Sequence, residues 1–370
     1  MGRASVRTKW LITVAAPCAA LLLLELGLRA VGFEHELAAV PVVVWSDDQD
    51  GGLDERTALH QRDRSSLWAP RPGAMVDHAS GERIDALGFR GPAPAASRDP
   101  SVLRVVLLGE SSTFGMNLPW DQTCAPQLAQ RLAERGIRAE VVNAGVIGHT
   151  VCQGLGRYRS AVRGLHPDVV VIAYGAQNEH APAQGPGDRE KLELASDERE
   201  GWRTTWLVLS RHLRVLQLCN WMLCRRAAPE LKAWQDDQAR QRSQDPAQIG
   251  QPDWSGDRRV PLDAFEGTLR ELCAEVRADG ARPLLCSLPR TPETEARLPI
   301  LPLYSAVIER LGRELDLPVV DLRAAVLASA AAGQDASSFF IPTDTWHVGA
   351  RGQTLLAALL ADTLAPPAPR

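Results

Sequence analysis

The stretch LRVVLLGESSTFG (103–115) joins a short apolar run to a polar turn bounded by two glycines. The run 103–109 has the length and composition of a strand that is buried on both faces of a parallel sheet. Loops at the carboxyl ends of such strands form the edge of the sheet where ligands bind. Ser111, in the turn after this strand, is therefore where a nucleophile is expected, although a helix-capping serine would give the same pattern.

Strand and helix patterns alternate along the rest of the chain. The sequence predicts further strands at 139–145, 168–175, 282–288 and 318–322. The predicted helices that separate or follow them are 123–135, 152–165, 262–279, 303–315 and 349–363. Strands alternating with helices at a spacing of ~30 residues are typical of a parallel sheet with crossover helices. The expected fold class is therefore α/β.

Three further polar motifs lie at the same expected edge. NAGVIGHT (143–150) contains Gly148, whose backbone N–H can face a ligand. YGAQNEH (174–180) contains Asn178, whose side chain can donate to a developing oxyanion. DTWHVGARG (344–352) places a carboxylate three residues before a histidine, which allows the carboxylate to bond the imidazole Nδ1. Each motif alone is weak, but their order and common location indicate one site.

Together the four motifs resemble those of the GDSL-type, or SGNH, hydrolases, over about residues 84–364. The resemblance implies a flavodoxin-like three-layer α/β/α sandwich with a parallel five-stranded sheet in the order 2-1-3-4-5. It implies no metal and no organic cofactor. The implied catalytic residues are Ser111, Asp344 and His347, and the implied oxyanion hole consists of Ser111 N, Gly148 N and Asn178. His347 Nε2 is then expected within ~3–4 Å of Ser111 Oγ.

Some residues near these motifs depart from the family's usual pattern. Glu110 replaces an aspartate beside the nucleophile, which we expect to be tolerated because that acid is not part of a triad. Ala176 stands where the asparagine motif usually has glycine, and its Cβ is expected to narrow the pocket or shift Asn178. His149 and His180 flank the predicted site, and we interpret both as polar residues at its rim.

The N-terminal residues have the pattern of a targeting signal. Arg3, Arg7 and Lys9 precede an uncharged stretch over 10–24. A cleaved signal peptide, an uncleaved signal-anchor and a buried helix all fit, and we favour a signal-anchor helix over 1–33 because no small-residue cleavage site closes the stretch. The positive flank would remain cytoplasmic, which places the catalytic domain in the periplasm or at the cell surface. This segment and ALGFRG (86–91) resemble a membrane-anchored bacterial branch of the family.

The chain therefore divides into three predicted parts. Residues 1–33 form the membrane helix and residues 34–100 a membrane-proximal connector that packs on the domain through Trp45, Trp68 and Phe89. Residues 101–366 form the hydrolase domain, with a helical insertion at about 181–260. The apolar stripe within 204–226 predicts a helix that packs on the domain, with a lid or a membrane contact as the alternative.

Composition restricts the function further. The 370 residues are 45% hydrophobic and 23% charged, with a formal net charge of −4, which argues against disorder and against a nucleic-acid binder. The seven cysteines lack zinc-ligand spacing. Cys124 and Cys152 begin predicted helices near the same sheet edge, and we expect them to form a disulfide in an oxidising compartment.

Three functions fit these observations. The favoured one is a serine esterase acting on small acyl esters, with O-acetyl groups of an envelope glycan as candidate substrates. An acyltransferase would use the same triad with a sugar hydroxyl as acceptor. A non-catalytic carbohydrate-binding module would have a degenerate site, for which Ala176 is the only support. The expected partners are an acyl ester and a membrane, and the sequence leaves the oligomeric state open.

Overall fold

The computed structural model describes residues 15–33, 59–183, 186–196, 209, 212–219, 221–222, 245–342, 344 and 346–365. The chain forms two compact units. One comprises Met1–Val44 and Ser196–Arg240, and the other comprises Trp45–Ala195 and Gln241–Arg370. The second and larger unit contains every predicted site residue.

Two small antiparallel hairpins open the described part of the larger unit. They are formed by β1 (His60–Asp63) with β2 (Leu67–Pro70) and by β3 (Met75–Asp77) with β4 (Glu82–Arg83). The sequence did not predict them, because strands of two to four residues are too short to show an apolar alternation.

The described part of the predicted connector, residues 59–100, therefore has structure of its own and packs within the larger unit. Trp68 donates its indole N–H to Ile147 O at 2.9 Å, and Phe89 is buried in the main core. Both contacts were expected. Trp45, the third expected contact, lies outside the described residues.

The central sheet of the larger unit consists of five parallel strands. They are β5 (Leu103–Gly109), β6 (Ala139–Asn143), β7 (Val169–Ala173), β8 (Arg282–Ser287) and β9 (Val319–Asp321). Their order across the sheet is β6-β5-β7-β8-β9. This is the predicted order 2-1-3-4-5. The reversal beside β5 places the end of that strand in the crevice where open α/β sheets bind ligands.

Helices complete the two units. The smaller unit contains α1 (Ala16–Ala30). The helices of the larger unit are α2 (Ser111–Phe114), α3 (Cys124–Glu134), α4 (Val151–Arg157), α5 (Asp188–Ser196), α6 (Pro246–Ile249), α7 (Leu262–Ala278), α8 (Pro292–Arg297), α9 (Leu301–Glu314), α10 (Leu322–Ala331) and α11 (Ala350–Leu364). After α4 the chain continues through a π-helical turn, Tyr158–Val162, and a 3₁₀ turn, Arg163–Leu165.

The side chains of β5 show why the sheet is buried on both faces. Val105 and Leu107 belong to an apolar cluster with α3 and α11, whereas Val106 and Leu108 belong to another with α4, α7 and α9. Successive side chains of a strand point to opposite faces, so an uninterrupted apolar run requires a helical layer on each side. The predicted three-layer α/β/α arrangement is thus present in the larger unit.

The two layers also explain why the expected disulfide does not form. Cys124 and Cys152 are both free and buried. Cys124 packs in the cluster on one face of the sheet, and Cys152 packs in the cluster on the opposite face. The prediction was wrong because neighbouring positions along the sheet edge do not imply the same layer.

The smaller unit includes α1 and a second segment that is helical over 214–219. Glu25 accepts hydrogen bonds from Arg29 Nε at 2.8 Å and from Val215 N at 2.9 Å. No helix in the described ranges combines the length and the apolar character needed to cross a membrane. The predicted membrane helix is therefore not supported, and the basic residues expected to flank it lie within 1–14, outside the described residues.

Gly156 in α4 lies in close contact with the first hairpin. A Cβ at this position would lie 1.6 Å from Ser65 O, whereas a Cβ at Gly267 in α7 would meet nothing within 4 Å. We expect Gly156→Ala to displace the hairpin and lower the free energy of unfolding by at least ~2 kcal/mol. Gly267→Ala is the matched control and should raise it by ~0.5–1 kcal/mol, because alanine is the better helix former.

Denaturant unfolding of the two variants measures this difference. Equal stability of Gly156→Ala and the unmodified protein would contradict the contact.

Candidate active site

Ser111 lies in a one-turn helix, α2, that begins directly after β5. The backbone of Gly115 ends this turn in the left-handed region, with φ of 81°, where glycine is strongly favoured. Gly109 has no room for a side chain, since a Cβ there would lie 2.7 Å from Ala173 O of the adjacent strand. The two glycines of the motif therefore permit a sharp turn that holds Ser111 at the strand end, where it is 2% exposed.

A buried arginine from the connector holds the carbonyl end of this turn. Arg90 Nη1 donates to Phe114 O at 2.9 Å and to Gly115 O at 2.6 Å, and Nη2 donates to Leu118 O at 2.7 Å. Its Nε donates to Glu82 Oε1 at 2.8 Å, so the charge is paired. Arg90 thereby satisfies carbonyls that a single helical turn leaves without partners.

Sequence reasoning did not assign this role to Arg90. The signal was present, because Arg90 belongs to the ALGFRG motif (86–91), which we associated only with a branch of the family. A buried arginine that binds carbonyls cannot be distinguished by sequence from an exposed one.

The glycine motif lies against the same turn. Gly148 has φ of 78°, and a Cβ at Gly145 would lie 2.4 Å from Phe114 N. Across the described residues, neither Ser111 N nor Gly148 N donates a hydrogen bond to the protein. Both N–H groups are therefore available to a ligand, as an oxyanion hole requires.

Asn178 connects the nucleophile motif to the glycine motif. Its Nδ2 donates to Glu110 Oε2 at 3.1 Å and to His149 O at 3.0 Å. These acceptors immediately precede Ser111 and follow Gly148, so the three predicted oxyanion donors lie together. Both N–H bonds of the amide are occupied, and donation to an oxyanion would require Asn178 to exchange one of them.

The alanine in the asparagine motif is accommodated by the core. Ala176 is 1% exposed and belongs to the apolar cluster that also contains Val348. Asn178 keeps its two contacts with the neighbouring motifs. The alanine therefore leaves the contacts of the asparagine motif with the nucleophile and glycine motifs in place.

Asp344 and His347 form a closed pair in the loop before α11. His347 Nδ1 lies 2.6 Å from Asp344 Oδ2, and Asp344 Oδ1 accepts from Trp346 N at 2.7 Å and His347 N at 3.1 Å. Partial burial raises the pKa of the Asp344 carboxyl, but the hydrogen bonds from Trp346 and His347 outweigh it, and the net pKa lies below the ordinary value. A carboxylate in this position holds the imidazole with Nε2 free to act as a base.

Gln177 joins the nucleophile to the histidine loop. Ser111 Oγ donates to Gln177 Oε1 at 3.5 Å, and Gln177 Nε2 donates to Trp346 O at 2.5 Å. Among the described residues, no hydrogen bond joins Ser111 to His347, which differs from the expected direct contact. The Gln177 amide occupies the hydroxyl instead, a contact between segments distant in the chain that the sequence analysis did not predict.

Two further hydrogen bonds join the turn that carries Ser111 to the C-terminal part of the chain. Gln353 Nε2 donates to Ser112 O at 2.7 Å, and Val348 N donates to Ser112 Oγ at 3.4 Å. The sheet edge thus brings Ser111 next to a loop more than 230 positions later in the chain.

The two flanking histidines, which were interpreted as rim residues, differ in burial. His149 is fully buried, with Nε2 2.8 Å from Trp68 O, and burial holds its pKa well below the ordinary value. His180 stacks on Trp346 with ring centroids 5.9 Å apart, and burial lowers its pKa to about 3. Both are neutral at physiological pH. The rim interpretation was wrong for His149, because the hairpin strand β2 covers it.

The site contains no evident metal centre. Within the described residues, no group of three or more His, Cys, Asp or Glu side chains is placed to hold a metal ion. The chemistry available is that of a hydroxyl, an imidazole–carboxylate pair and nearby N–H donors.

The Arg90 contacts generate a testable expectation. Arg90→Ala removes the cationic partner of the Glu82 carboxylate and the side-chain donors to Gly115 O and Leu118 O, so we expect a loss of ~3–5 kcal/mol in stability. We also expect a lower kcat, because the turn that carries Ser111 loses its support. Arg83→Ala is the control, since within the described residues this exposed side chain donates only to Gly73 O, and it should change stability by less than ~0.5 kcal/mol. Thermal unfolding measures the stability of both variants, and ester hydrolysis measures their kcat. An Arg90→Ala variant as stable and active as the control would show that Arg90 does not support the turn that carries Ser111.

The comparisons with known proteins agree with this geometry. The model of the GDSL-like lipase/acylhydrolase family matches residues 107–355, a range that includes Ser111, Gly148, Asn178, Asp344 and His347. A search of curated protein sequences found no match.

Solved structures that match the chain include a lipase/acylhydrolase and an acetylxylan esterase. A lipase/acylhydrolase from Enterococcus faecalis has 17% sequence identity and a TM-score of 0.44, covering 71% of this chain and 95% of its own. An acetylxylan esterase from Geobacillus stearothermophilus has 16% identity and a TM-score of 0.43, covering 71% of this chain and 94% of its own.

Proposed function

Because the chain belongs to the GDSL-like lipase/acylhydrolase family and is an SGNH-type ester hydrolase, we propose that Ser111, His347 and Asp344 form its catalytic triad. The observation that carries this assignment is the Asp344–His347 pair, at 2.6 Å, held through Gln177 beside the Ser111 hydroxyl. The order of these residues along the chain also matches the family's motifs.

In the proposed mechanism His347 accepts the Ser111 proton as the hydroxyl attacks an ester carbonyl. Asp344 keeps the proton on Nδ1 and stabilises the imidazolium that forms. The Ser111 hydroxyl must first exchange its bond to Gln177 for one to His347. His347 then protonates the leaving alcohol, and water releases the acid by the reverse sequence.

The proposed oxyanion hole is formed by Ser111 N, Gly148 N and the Asn178 amide. The two backbone donors are already free. Asn178 would donate after releasing either Glu110 or His149 O. Losing one donor of this kind typically costs ~10²–10³ in rate.

We propose small acyl esters as the substrate class, with acetyl esters first among them and O-acetylated glycans as the natural form. The family supports an acyl ester in general. Comparing p-nitrophenyl acetate with longer acyl chains and with acetylated oligosaccharides tests the narrower proposal. A marked preference for long acyl chains would contradict it.

The triad is tested by three substitutions. Ser111→Ala and His347→Ala should each lower kcat/KM for p-nitrophenyl acetate by ~10⁴-fold or more. Asp344→Asn should lower it by ~10²–10⁴, because the imidazole remains present but loses its anionic partner. Circular dichroism should show that all three variants remain folded.

Ser329→Ala and His78→Ala remove the same side-chain types at positions outside the four site motifs and should retain full activity. The triad assignment fails if Ser111→Ala or His347→Ala hydrolyses the ester at the unmodified rate.

We further propose that the N-terminal segment holds the protein at a membrane with the catalytic unit outside the cytoplasm. The basic residues Arg3, Arg7 and Lys9 support this orientation. So does α1, in which Leu22 and Leu23 are 60% and 69% exposed. Protease added to intact spheroplasts should degrade the catalytic unit while a cytoplasmic marker survives. Protection of the catalytic unit until the cells are lysed would refute the orientation.

A further inference from the structure

Each of the three motifs that supply the proposed oxyanion donors is bonded, through its main-chain carbonyls, to a buried arginine. Arg90 binds the nucleophile turn, as described above. Arg157 is 3% exposed, and its Nε donates to Ala144 O in the glycine motif at 3.0 Å. Arg290 is 1% exposed, and it donates to two successive carbonyls of the asparagine motif. Of these three, Arg290 binds nearest to a donor side chain along the chain.

Arg290 lies shortly after β8, at the carboxyl edge of the sheet. Its Nε donates to Ala176 O and its Nη2 donates to Gly175 O. Gly175 has φ of 89°, and a Cβ there would lie 2.9 Å from Cζ of Phe265. The left-handed glycine turns the chain so that two successive carbonyls face one guanidinium. The two bonds therefore fix the backbone just before Asn178.

The guanidinium of Arg290 is a cation enclosed in the protein. Burial lowers its pKa to about 10, so it keeps its charge at neutral pH. Its Nη1 lies 3.7 Å from Glu295 Oε1 and forms no hydrogen bond among the described residues. Arg323 binds the same carboxylate through two bonds of 2.7 Å. Two arginines thus share one glutamate, and one positive charge remains for the carbonyls of the asparagine motif.

The charge of Arg290 also acts on the residue that precedes the nucleophile. Glu110 is 0% exposed, and burial and then the charge of Glu179 raise the pKa of its carboxyl, whereas the charge of Arg290 lowers it. Glu110 Oε2 accepts from Asn178 Nδ2 at 3.1 Å. Arg290 therefore acts on the asparagine motif through hydrogen bonds and on the nucleophile motif through its charge.

We propose that Arg290 is a positioning residue for ester hydrolysis, which holds the asparagine motif by its carbonyls so that Asn178 can serve the oxyanion hole. The proposal rests on the proposed catalytic function. An arginine suits this role because its planar fork directs two N–H bonds at once. Lysine would supply the charge as a point on a flexible stem.

The chemical reason lies in the exchange that Asn178 must make. Its amide donates to Glu110 and to His149 O, and one of these bonds has to be given up for the oxyanion. A backbone held by two bonds to a buried cation stays in place while the side chain changes partner. Donors that are already in position stabilise the charge of the transition state without further reorganisation. Loss of Arg290 should therefore lower kcat more than it changes KM.

Substitution of Arg290 tests the role. Arg290→Lys keeps the charge and should lower kcat for p-nitrophenyl acetate by ~10-fold, whereas Arg290→Met removes charge and donors and should lower it by ~10²-fold or more. KM should change by less than ~3-fold in both, because the groups affected act in the transition state. Circular dichroism and thermal unfolding show whether the variants are folded at the assay temperature.

The matched control is a buried arginine at the opposite edge of the sheet. Arg104 is 6% exposed, lies at the amino end of β5 and donates to Leu165 O and, at 3.0 Å, to Ala95 O. Arg104→Lys disturbs the same kind of contact without touching the asparagine motif. It should lower the melting temperature but leave kcat within ~2-fold of the unmodified protein, because the site keeps its contacts.

A second measurement does not depend on activity. Hydrogen exchange followed by mass spectrometry reports how firmly each segment is held. In Arg290→Lys the amides over 175–180 should exchange faster by ~10-fold or more, because local opening becomes easier. The amides over 144–150 should be unchanged. Arg104→Lys should leave both segments as they are in the unmodified protein.

The outcomes separate this role from the esterase function. An unmodified protein without ester hydrolysis, in which Arg290→Lys still speeds exchange over 175–180, refutes the function and supports the hold on the motif. A folded Arg290→Met with unmodified kcat overturns the proposal. If Arg290→Met does not fold, Arg290→Lys decides, and unmodified kcat and exchange in that variant overturn it. Failure of both variants to fold, or an equal loss of kcat in Arg104→Lys, also overturns it, because stability alone then explains the effect.

Discussion

The helical turn that carries Ser111 is too short for all of its backbone N–H and C=O groups to bond one another. The site therefore depends on which other groups form hydrogen bonds with those that remain. At its carbonyl end, Arg90 and Asn143 supply the donors, with Asn143 Nδ2 2.9 Å from Thr113 O. At its N-terminal end, the Ser111 N–H has no protein partner among the described residues. A helical turn whose carbonyls are saturated and whose first N–H is free presents a fixed donor to an anion.

This constraint makes the connector part of the catalytic unit. Arg90 reaches the turn from outside the sheet, and β2 covers the glycine motif through Trp68 and His149. The loop that carries Gly148 is therefore packed between the first hairpin and the turn. Its backbone cannot relax without moving one of the two.

A second consequence concerns charge. The edge of the sheet collects two buried acids, Glu110 and Glu179, and two histidines that burial keeps neutral, His149 and His180. The one anion that the proposed mechanism needs, Asp344, is partly exposed and stabilised by backbone N–H groups. Asp344 is thus the ionised carboxylate that acts on His347, through the contact of 2.6 Å with Nδ1.

The sequence alone predicted the features that depend on neighbouring residues. Apolar runs predicted the five strands and, through the family resemblance, their order, because burial on both faces leaves a continuous pattern such as that of β5. The Asp344–His347 pair could also be predicted from the sequence, since two side chains three positions apart across a turn can form a hydrogen bond. Only the tertiary structure decided the rest. It placed Cys124 and Cys152 on opposite faces, buried His149 beneath β2, and set Gln177 against Ser111. These features arise where segments distant in the chain meet, and the packing of such segments leaves no periodic trace in any one of them.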